Sequence, residues 1–333
     1  MVIGFFELEG WEKDEIKEHL TKDELTFSSE KITPEHLPER RDCEVISIFV
    51  NSRITPAVLD AFPNLKYITT RSTGFDHIDL AECKKRGITV SYVPGYGNNT
   101  VAEFAFGLLL SLTRNLYPAI DEIKQSGSYD LSHLRGMDLA GKTLGVIGTG
   151  RIGQKAIKIA KGLEMNVIAA DPYPNNAAAE ELGYTYVPLD MLLAKSDAVT
   201  IHCLYTPDTH HLLDKENIPL MKKGAYLVNT ARGAIIETEA LVAALKNGTL
   251  AGAALDVLEA EPETKHPASA DAAITDPETK KLVALNRDMM QMPNVLITPH
   301  TAFNTAEAVR RILDKTLESI DAFTAGKPIN LVL

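Results

Sequence analysis

The chain has 333 residues and a formal charge of −11 at neutral pH, with 45 acidic and 34 basic side chains. This length allows two domains that each bury a core, and the acidic balance argues against nucleic acid or an anionic membrane as a main partner. The first residues lack a basic segment before a long apolar core, and no run reaches the roughly 18 apolar residues of a membrane span, which predicts a cytoplasmic protein.

Residues 1–94 alternate short β-rich runs with amphipathic runs. The β-rich runs are VIGFF, LTFS, CEVISIFV, LKYITT and TVSYV, and the amphipathic runs are WEKDEIKEHL, TPAVLDAF and AECKKRG. This alternation predicts βαβ units, and CEVISIFV and LKYITT are apolar enough for central parallel strands. The segments Arg71–His77 and Val93–Thr100 each follow a predicted strand, where parallel sheets bind ligands, so both are candidate ligand loops.

The next segment, Thr100–Leu116, reads TVAEFAFGLLLSLTRNL and is apolar on almost every face. A helix of this kind is buried on most faces by another domain or by a second subunit, and it is too short to span a bilayer. We therefore predict one helix over residues 100–116 that links the domains and contributes to a homodimer.

The segment Thr143–Gly153 reads TLGVIGTGRIG, an apolar run that opens onto Gly148-x-Gly150-x-x-Gly153. In a dinucleotide site these glycines allow the tight turn, the approach of backbone N–H groups to the pyrophosphate, and the packing of the helix on the strand. The following apolar run ends at Asp171, about 20 residues further on, as such sites require. Asp171 would accept hydrogen bonds from the ribose and repel a 2′-phosphate, which predicts NAD rather than NADP. The alternative interpretation is an ordinary glycine-rich turn.

After Asp171 the strand and helix pattern resumes with AVTIHC, AYLVNTA, LAGAALDV and VLITPH as strands. Together with the two strands of the fingerprint they predict a six-stranded, doubly wound dinucleotide domain. A long excursion lies between Val257 and Val295, with a predicted helix in DPETKKLVALNRDMMQM, and connections of this length are usually functional or mobile. Residues 305–326 predict one amphipathic helix, after which KPINLVL is expected to rejoin the first domain.

Three strands of this predicted domain end in charged or titratable residues. Arg232 follows AYLVNTA, the acidic residues Glu259, Glu261 and Glu263 follow LAGAALDV, and His300 follows VLITP. Reduction of a 2-oxo acid requires a cation for the carboxylate, a proton donor, and a carboxylate that favours the protonated donor. Arg232, one of the glutamates and His300 supply this set. The alternatives are a structural arginine, a helix-capping histidine and a solvated acidic loop.

Three further histidines, His202, His210 and His211, resemble a metal-binding group. We predict no metal, because hydride transfer between a nicotinamide and a 2-oxo acid has its electrostatics without one. The cysteines are far apart and form no CxxC pair, which predicts neither a disulfide framework nor a zinc site. They are Cys43, Cys83 and Cys203.

These motifs resemble those of the D-isomer specific 2-hydroxyacid dehydrogenases over nearly the whole chain. The matching segments, in the order that the family has them, are RSTGFDHIDL, VPGYGNNTVAEFAFGLLL, GKTLGVIGTGRIG, LMKKGAYLVNTARGAIIETEAL, GAALDVLEAEP and ITPHTAFNT. The resemblance implies that the catalytic residues are Arg232, Glu261 and His300, with the Glu261–His300 pair supplying the proton. It thus selects one of the three glutamates that spacing left open.

The resemblance also implies the ligand contacts. The backbone of Thr73 and Gly74 would bind the substrate carboxylate beside Arg232, and Tyr96 and Phe303 would contact the substrate side chain, as in D-lactate dehydrogenases. The implied cofactor contacts are Gly148, Gly150, Arg151, Ile152, Gly153, Asp171, Cys203, Leu204, Thr209, Thr230, Ala231 and Asp256.

Two departures concern substrate choice. The loop VPGYGNN stands where D-lactate dehydrogenases usually have a loop like VPAYSP, and Leu204 stands where proline is more usual. Gly95 and Gly97 give this loop more backbone freedom, so the size of the substrate side chain is left open.

The expected fold class is α/β with two doubly wound parallel-sheet domains, a Rossmann dinucleotide-binding domain over 100–301 and a smaller flavodoxin-like substrate domain over 1–99 plus 302–333. The expected function is NAD-dependent reduction of a short 2-oxo acid, most simply pyruvate to D-lactate. Alternatives are glyoxylate, hydroxypyruvate, a larger 2-oxo acid or phosphite as substrate, or a corepressor-like module that senses NADH. The expected partners are the substrate and a second copy of the chain, with no nucleic acid and no membrane.

Overall fold

The computed structural model describes residues 1–332, apart from the side chains of Ala270 and Ala272. It divides into two compact units. The first comprises Met1–Tyr96 and the chain from Thr305, and the second comprises Gly97–Asn304.

The first unit is built on a five-stranded sheet in which every neighbouring pair is parallel. Its strands are β1 (Val2–Phe5), β2 (Glu24–Phe27), β3 (Val45–Ile48), β4 (Tyr67–Thr70) and β5 (Thr89–Ser91), and its first helices are α1 (Glu12–His19), α2 (Pro56–Asp60) and α3 (Leu80–Lys85). The order β2-β1-β3-β4-β5 is the flavodoxin-like order that was predicted. β3 and β4 are buried at every residue, which confirms them as central strands.

The second unit is built on a seven-stranded parallel sheet of order β12-β11-β10-β9-β6-β7-β8. Its strands are β6 (Thr143–Ile147), β7 (Asn166–Ala170), β8 (Thr185–Tyr186), β9 (Ala198–Ile201), β10 (Ala225–Asn229), β11 (Leu250–Leu255) and β12 (Val295–Ile297). The remaining helices are α4 (Asn98–Thr113), α5 (Leu116–Ser126), α6 (Arg151–Gly162), α7 (Asn176–Leu182), α8 (Leu189–Lys195), α9 (Thr238–Lys246), α10 (Glu261–Thr264), α11 (Pro277–Met290) and α12 (Ala306–Thr324). This is the predicted Rossmann architecture, and its strand order reverses between β6 and β9, where nucleotides bind.

The prediction of six strands is wrong by one. β8 has two residues and pairs with β7 through Ile168–Thr185 and Ala169–Tyr186. A strand this short carries no alternating pattern, so it cannot be recognised from hydrophobic periodicity.

The predicted helix over 100–116 is also corrected. α4 ends at Thr113, because Asn115 adopts a left-handed conformation with φ of 50° that no helix continues, and α5 begins at Leu116. Ala105, Phe106 and neighbouring apolar side chains of α4 are buried against α6 and the sheet of their own unit. The core of this unit, rather than another domain or subunit, accounts for their burial.

The C-terminal segment rejoins the first unit, as predicted. α12 packs against β4, where the rings of Phe323 and Tyr67 stack with centroids 4.3 Å apart. The Val332 N–H then donates to the Val90 carbonyl at 2.9 Å. Leu333, which ends the predicted tail and the predicted substrate domain, lies outside the described residues. Over residues 1–332, no helix combines the length and apolarity needed to cross a membrane.

Candidate active site

The glycine fingerprint follows β6 in a turn that admits no side chain at two positions. Gly148 has φ of +89°, and a Cβ added to it would lie 2.5 Å from the Cys203 backbone nitrogen. A Cβ at Gly153 would lie 2.0 Å from the Gly148 carbonyl oxygen. Steric exclusion therefore forces glycine at both positions.

The third glycine faces open space. Gly150 is the N-cap of α6, and a Cβ added to it would meet no atom within 4 Å. The first residues of α6 are Arg151, which is exposed, and Ile152, which is half-buried. This helix N-terminus, with free space beside its backbone N–H groups, fits a pyrophosphate.

Asp171 comes directly after β7, beside the fingerprint. One carboxylate oxygen accepts from the Thr149 N–H at 2.7 Å and from the Thr149 hydroxyl at 3.0 Å, and the other accepts from the Tyr173 N–H at 2.9 Å. The carboxylate is thereby fixed beside the turn that would hold the pyrophosphate, which is the arrangement that ribose recognition requires.

The loop after β9 lies on the other side of the fingerprint. Cys203 is half-buried, and burial raises the pKa of its thiol to about 11. Leu204 is 72% exposed, and its carbonyl accepts from the Thr209 hydroxyl at 2.7 Å, which closes the loop. The Cys203 backbone lies against the glycine turn, and its thiol is neutral at pH 7.

The loop after β10 holds a polar atom that the protein leaves unsatisfied. The Thr230 hydroxyl oxygen is buried and has no hydrogen-bond partner among residues 1–332. Such atoms are rare in folded proteins, and one at the carboxyl edge of the sheet fits a bound nicotinamide nucleotide. The fingerprint, Asp171 and Thr230 together fit NAD.

Arg232 is positioned by Asn229, a residue that the sequence analysis missed. The Asn229 amide donates to the Arg232 carbonyl at 2.9 Å, and its oxygen accepts from the Ala231 N–H at 3.0 Å. A Cβ at Gly233 would lie 2.0 Å from the Leu258 carbonyl carbon, so the loops after β10 and β11 touch here. An asparagine at the end of a buried strand was the signal available in the sequence.

His300 and Glu261 are brought together by the loops after β12 and β11. His300 Nδ1 lies 2.9 Å from Glu261 Oε1, and Lys265 Nζ lies 2.8 Å from the same oxygen. Burial raises the pKa of Glu261, but the hydrogen bonds and charges of His300 and Lys265 outweigh it and hold that pKa at about 2. The carboxylate is therefore ionised at neutral pH.

The backbone at this pair is unusual. His300 has φ of 55°, and Ala260, immediately before Glu261, has φ of 49°. Residues other than glycine seldom occupy this region, and such strain concentrates at functional sites.

Asp256 organises the loop that carries His300. Its carboxylate accepts from the Thr298 hydroxyl at 2.5 Å, the Thr301 N–H at 2.9 Å and the Ala302 N–H at 2.8 Å. Asp256 is 1% exposed, and burial raises its pKa. Its contacts within the protein are therefore to this loop, and the cofactor contact implied by the resemblance stays a prediction.

The two other glutamates of the acidic segment lie elsewhere. Glu259 is buried, and its carboxylate lies 2.7 Å from His211 Nε2 and accepts from the Thr238 hydroxyl at 2.6 Å. Glu263 is half-buried on α10. Of the three, Glu261 is the one that contacts His300 among the described residues.

The three histidines that resemble a metal-binding group in the sequence contact other side chains of the protein. His202 Nε2 lies 3.0 Å from the Thr200 hydroxyl, and burial lowers the pKa of His202 to about 4. His210 stacks on His211 with ring centroids 3.9 Å apart. In the part of the chain that the structure describes, no three histidine, cysteine or acidic side chains converge as metal ligands.

Asn286 on α11 is a second residue that the sequence analysis missed. It is fully buried and donates to the Glu259 carbonyl at 2.7 Å and to the Thr264 hydroxyl at 2.9 Å. These contacts fix both ends of the short helix that carries Glu261. The long excursion is thus a support for the site, and a single asparagine in an amphipathic helix gave no signal of this in the sequence.

The remaining predicted substrate contacts lie in both units. In the first unit, the Thr73 hydroxyl donates to the Val93 carbonyl at 3.0 Å and joins the two candidate ligand loops, and Gly74 accepts from the Ser72 hydroxyl at 2.6 Å. Tyr96 is 9% exposed, and its carbonyl accepts from Arg311 at 2.8 Å. In the second unit, Phe303 is half-buried, three residues after His300.

Residues 106–302 match the family model described as "D-isomer specific 2-hydroxyacid dehydrogenase, NAD binding domain". The chain belongs to this family. It contains an NAD-binding domain and is an NAD-dependent oxidoreductase of the D-2-hydroxyacid dehydrogenase type.

The chain is similar to several characterised relatives. It is 37% identical to a D-lactate dehydrogenase of Escherichia coli (strain K12) over 306 residues, covering 91% of this chain and 90% of the relative. It is 38% identical to a glyoxylate reductase of Thermofilum pendens over 294 residues, covering 86% and 80%. A crystal structure of D-lactate dehydrogenase from Aquifex aeolicus, complexed with NAD and lactic acid, matches with a TM-score of 0.87 at 35% identity, covering 98% and 96%.

Proposed function

We propose that this dehydrogenase reduces pyruvate to D-lactate and catalyses the reverse reaction. The observation that carries the proposal is the His300–Glu261 contact of 2.9 Å at the strand edge that also carries Arg232. The choice of pyruvate is supported by Tyr96 and Phe303 and by the similarity to two D-lactate dehydrogenases. The substrate domain is the unit that contains Thr73, Gly74 and Tyr96.

Each residue has a separate task in the proposed reaction. Arg232 binds the substrate carboxylate with its planar guanidinium. His300 donates a proton to the carbonyl oxygen, where negative charge develops, and the ionised Glu261 holds the His300 ring in place. Bound NADH supplies the reducing equivalent at the neighbouring carbon. In the oxidation direction His300 accepts the proton from the hydroxyl group.

The glyoxylate reductase relative favours a second candidate, the same chemistry on a smaller acid. Steady-state kinetics with NADH against pyruvate, glyoxylate, hydroxypyruvate, phenylpyruvate, 2-oxoisocaproate and phosphite (with NAD) separates the candidates. We expect kcat/KM for pyruvate to exceed the others by about tenfold or more, because a methyl group in a shaped pocket contributes about 1–3 kcal/mol.

A higher kcat/KM for another acid would overturn pyruvate and leave the chemistry in place. NADH binding without turnover of any substrate would indicate the corepressor-like binding module instead. Oxidation of D-lactate but not of L-lactate is the matched control for stereochemistry.

We also propose that the enzyme is a homodimer and that α5 contributes to the interface. Leu116, Tyr117, Ile120 and Ile123 form an apolar face on α5 and are 45–61% exposed. Apolar faces of this kind mark interaction surfaces. Ile120→Glu should convert a dimer to a monomer in sedimentation velocity, because a charge would be buried at the interface. Gln125→Glu, outside the apolar face, is the control, and a dimer in both variants would exclude this face.

A further inference from the structure

A chain of hydroxyl groups ends at Asp171. The Tyr184 hydroxyl lies 3.0 Å from that of Tyr186, the Tyr186 hydroxyl lies 2.7 Å from that of Thr149, and the Thr149 hydroxyl donates to Asp171 at 3.0 Å. The Asn175 N–H donates to the Tyr186 oxygen at 3.0 Å. The four side chains thus form one connected network, which we call the tyrosine relay.

The hydroxyl protons of the tyrosine relay can point in one direction only. An ionised carboxylate accepts hydrogen bonds and donates none, so the proton of the Thr149 hydroxyl points to Asp171. The Thr149 oxygen must then accept from Tyr186, and the Tyr186 oxygen accepts from Tyr184. Every hydroxyl proton is therefore oriented towards the carboxylate, and chains of this kind strengthen each of their bonds.

The relay lies in a protected part of the unit. Thr149 is 4% exposed and Tyr184 is 6% exposed. Burial and the hydrogen bond with Tyr186 raise the pKa of Tyr184, so its hydroxyl stays protonated. The strand β8, which the sequence did not predict, is what holds Tyr186 beside the end of β7, where Asp171 stands.

We propose that Thr149 and Tyr186 are positioning residues that lock the Asp171 carboxylate in one orientation and so set the preference for a free ribose 2′-hydroxyl over a 2′-phosphate. This inference rests on the proposed function and on the prediction that Asp171 contacts the ribose of the cofactor. While the Thr149 hydroxyl holds the carboxylate, the carboxylate cannot turn away from an incoming phosphate dianion. The electrostatic repulsion between the two anions is therefore not reduced. A carboxylate without the oriented Thr149 hydroxyl keeps only its backbone bonds from Thr149 and Tyr173, so it turns more easily towards solvent. That movement reduces the repulsion and also weakens the ribose hydrogen bond.

The test is the equilibrium binding of NADH and of NADPH by isothermal titration calorimetry, without substrate. For Thr149→Val and Tyr186→Phe, we expect the ratio of Kd for NADPH to Kd for NADH to fall by about tenfold and about threefold respectively, as the loss of an oriented charge-assisted bond implies. Thr149→Ser, which keeps the hydroxyl, should retain the wild-type ratio. Binding ratios do not depend on Arg232, Glu261 or His300, and a general loss of stability would weaken both nucleotides alike.

Tyr173→Phe is the matched control. Tyr173 is 87% exposed and contacts Asp171 through its backbone N–H, which phenylalanine keeps. If Asp171→Ala lowers the ratio while Thr149→Val and Tyr186→Phe keep it, the relay proposal is wrong and the ribose contact stands. A wild-type enzyme that binds neither nucleotide overturns both the relay and the proposed function.

Discussion

Replacing Arg232 with alanine should lower kcat/KM for pyruvate reduction by about 10³-fold, because about 4 kcal/mol of charge-assisted binding to the carboxylate is lost in the transition state. Arg232 is half-buried, and its loop is fixed by Asn229 on one side and by the Gly233 contact with Leu258 on the other. The change removes the guanidinium and leaves this frame, so the loss should appear in kcat/KM. Initial rates of NADH oxidation measure it.

The conservative variant Arg232→Lys keeps the charge but not the planar pair of donors, and we expect a loss of about 10²-fold. NADH affinity, measured by calorimetry, should stay close to wild type in both variants, because the cofactor contacts are separate residues. Arg287→Ala removes an arginine elsewhere and serves as the control. Arg287 lies on α11, in the long segment between Val257 and Val295, where it bonds to Asp271. If Arg232→Ala keeps the wild-type kcat/KM, Arg232 does not bind the substrate carboxylate and the proposal is wrong.

Replacing Glu261 with glutamine should lower the pH above which reduction fails, together with a loss of rate. The sign follows from the requirement for a protonated His300. The Glu261 carboxylate, whose pKa is held at about 2, is ionised throughout the working range and favours the imidazolium. Glutamine keeps the shape without the charge, so the protonated His300 ring loses the negative charge that stabilises it.

The pH profile of kcat/KM for pyruvate measures this shift. Glu263→Gln makes the same chemical change two residues further along α10 and should leave the profile in place. The other charged groups around His300 are Asp256 and, through Glu261, Lys265, and both are intact in each variant. An unchanged profile in Glu261→Gln would assign the carboxylate role to Glu259 or Glu263.

Much of the fold follows from local patterns in the sequence. The buried runs CEVISIFV and LKYITT predicted β3 and β4, and the glycine fingerprint predicted the β6 turn, because only glycine fits where a Cβ would overlap the backbone. These features depend on residues close together in the chain, so the local sequence is enough to predict them. The bounds of the helix predicted over 100–116 were wrong, because apolarity reports burial but not the left-handed Asn115 that separates α4 from α5. Its predicted role in linking the domains and in a homodimer stays a prediction.

The sequence by itself determined the α/β class, the nucleotide fingerprint and three strand ends that bear an arginine, acidic residues and a histidine. Spacing left Glu259, Glu261 and Glu263 equivalent, and only the tertiary structure decided that Glu261 contacts His300 while Glu259 contacts His211. The supports Asn286 and Tyr186 were likewise invisible in the sequence, because their partners come from other loops and strands. A hydrogen bond between distant segments depends on how the strands are ordered, and no local pattern records that order.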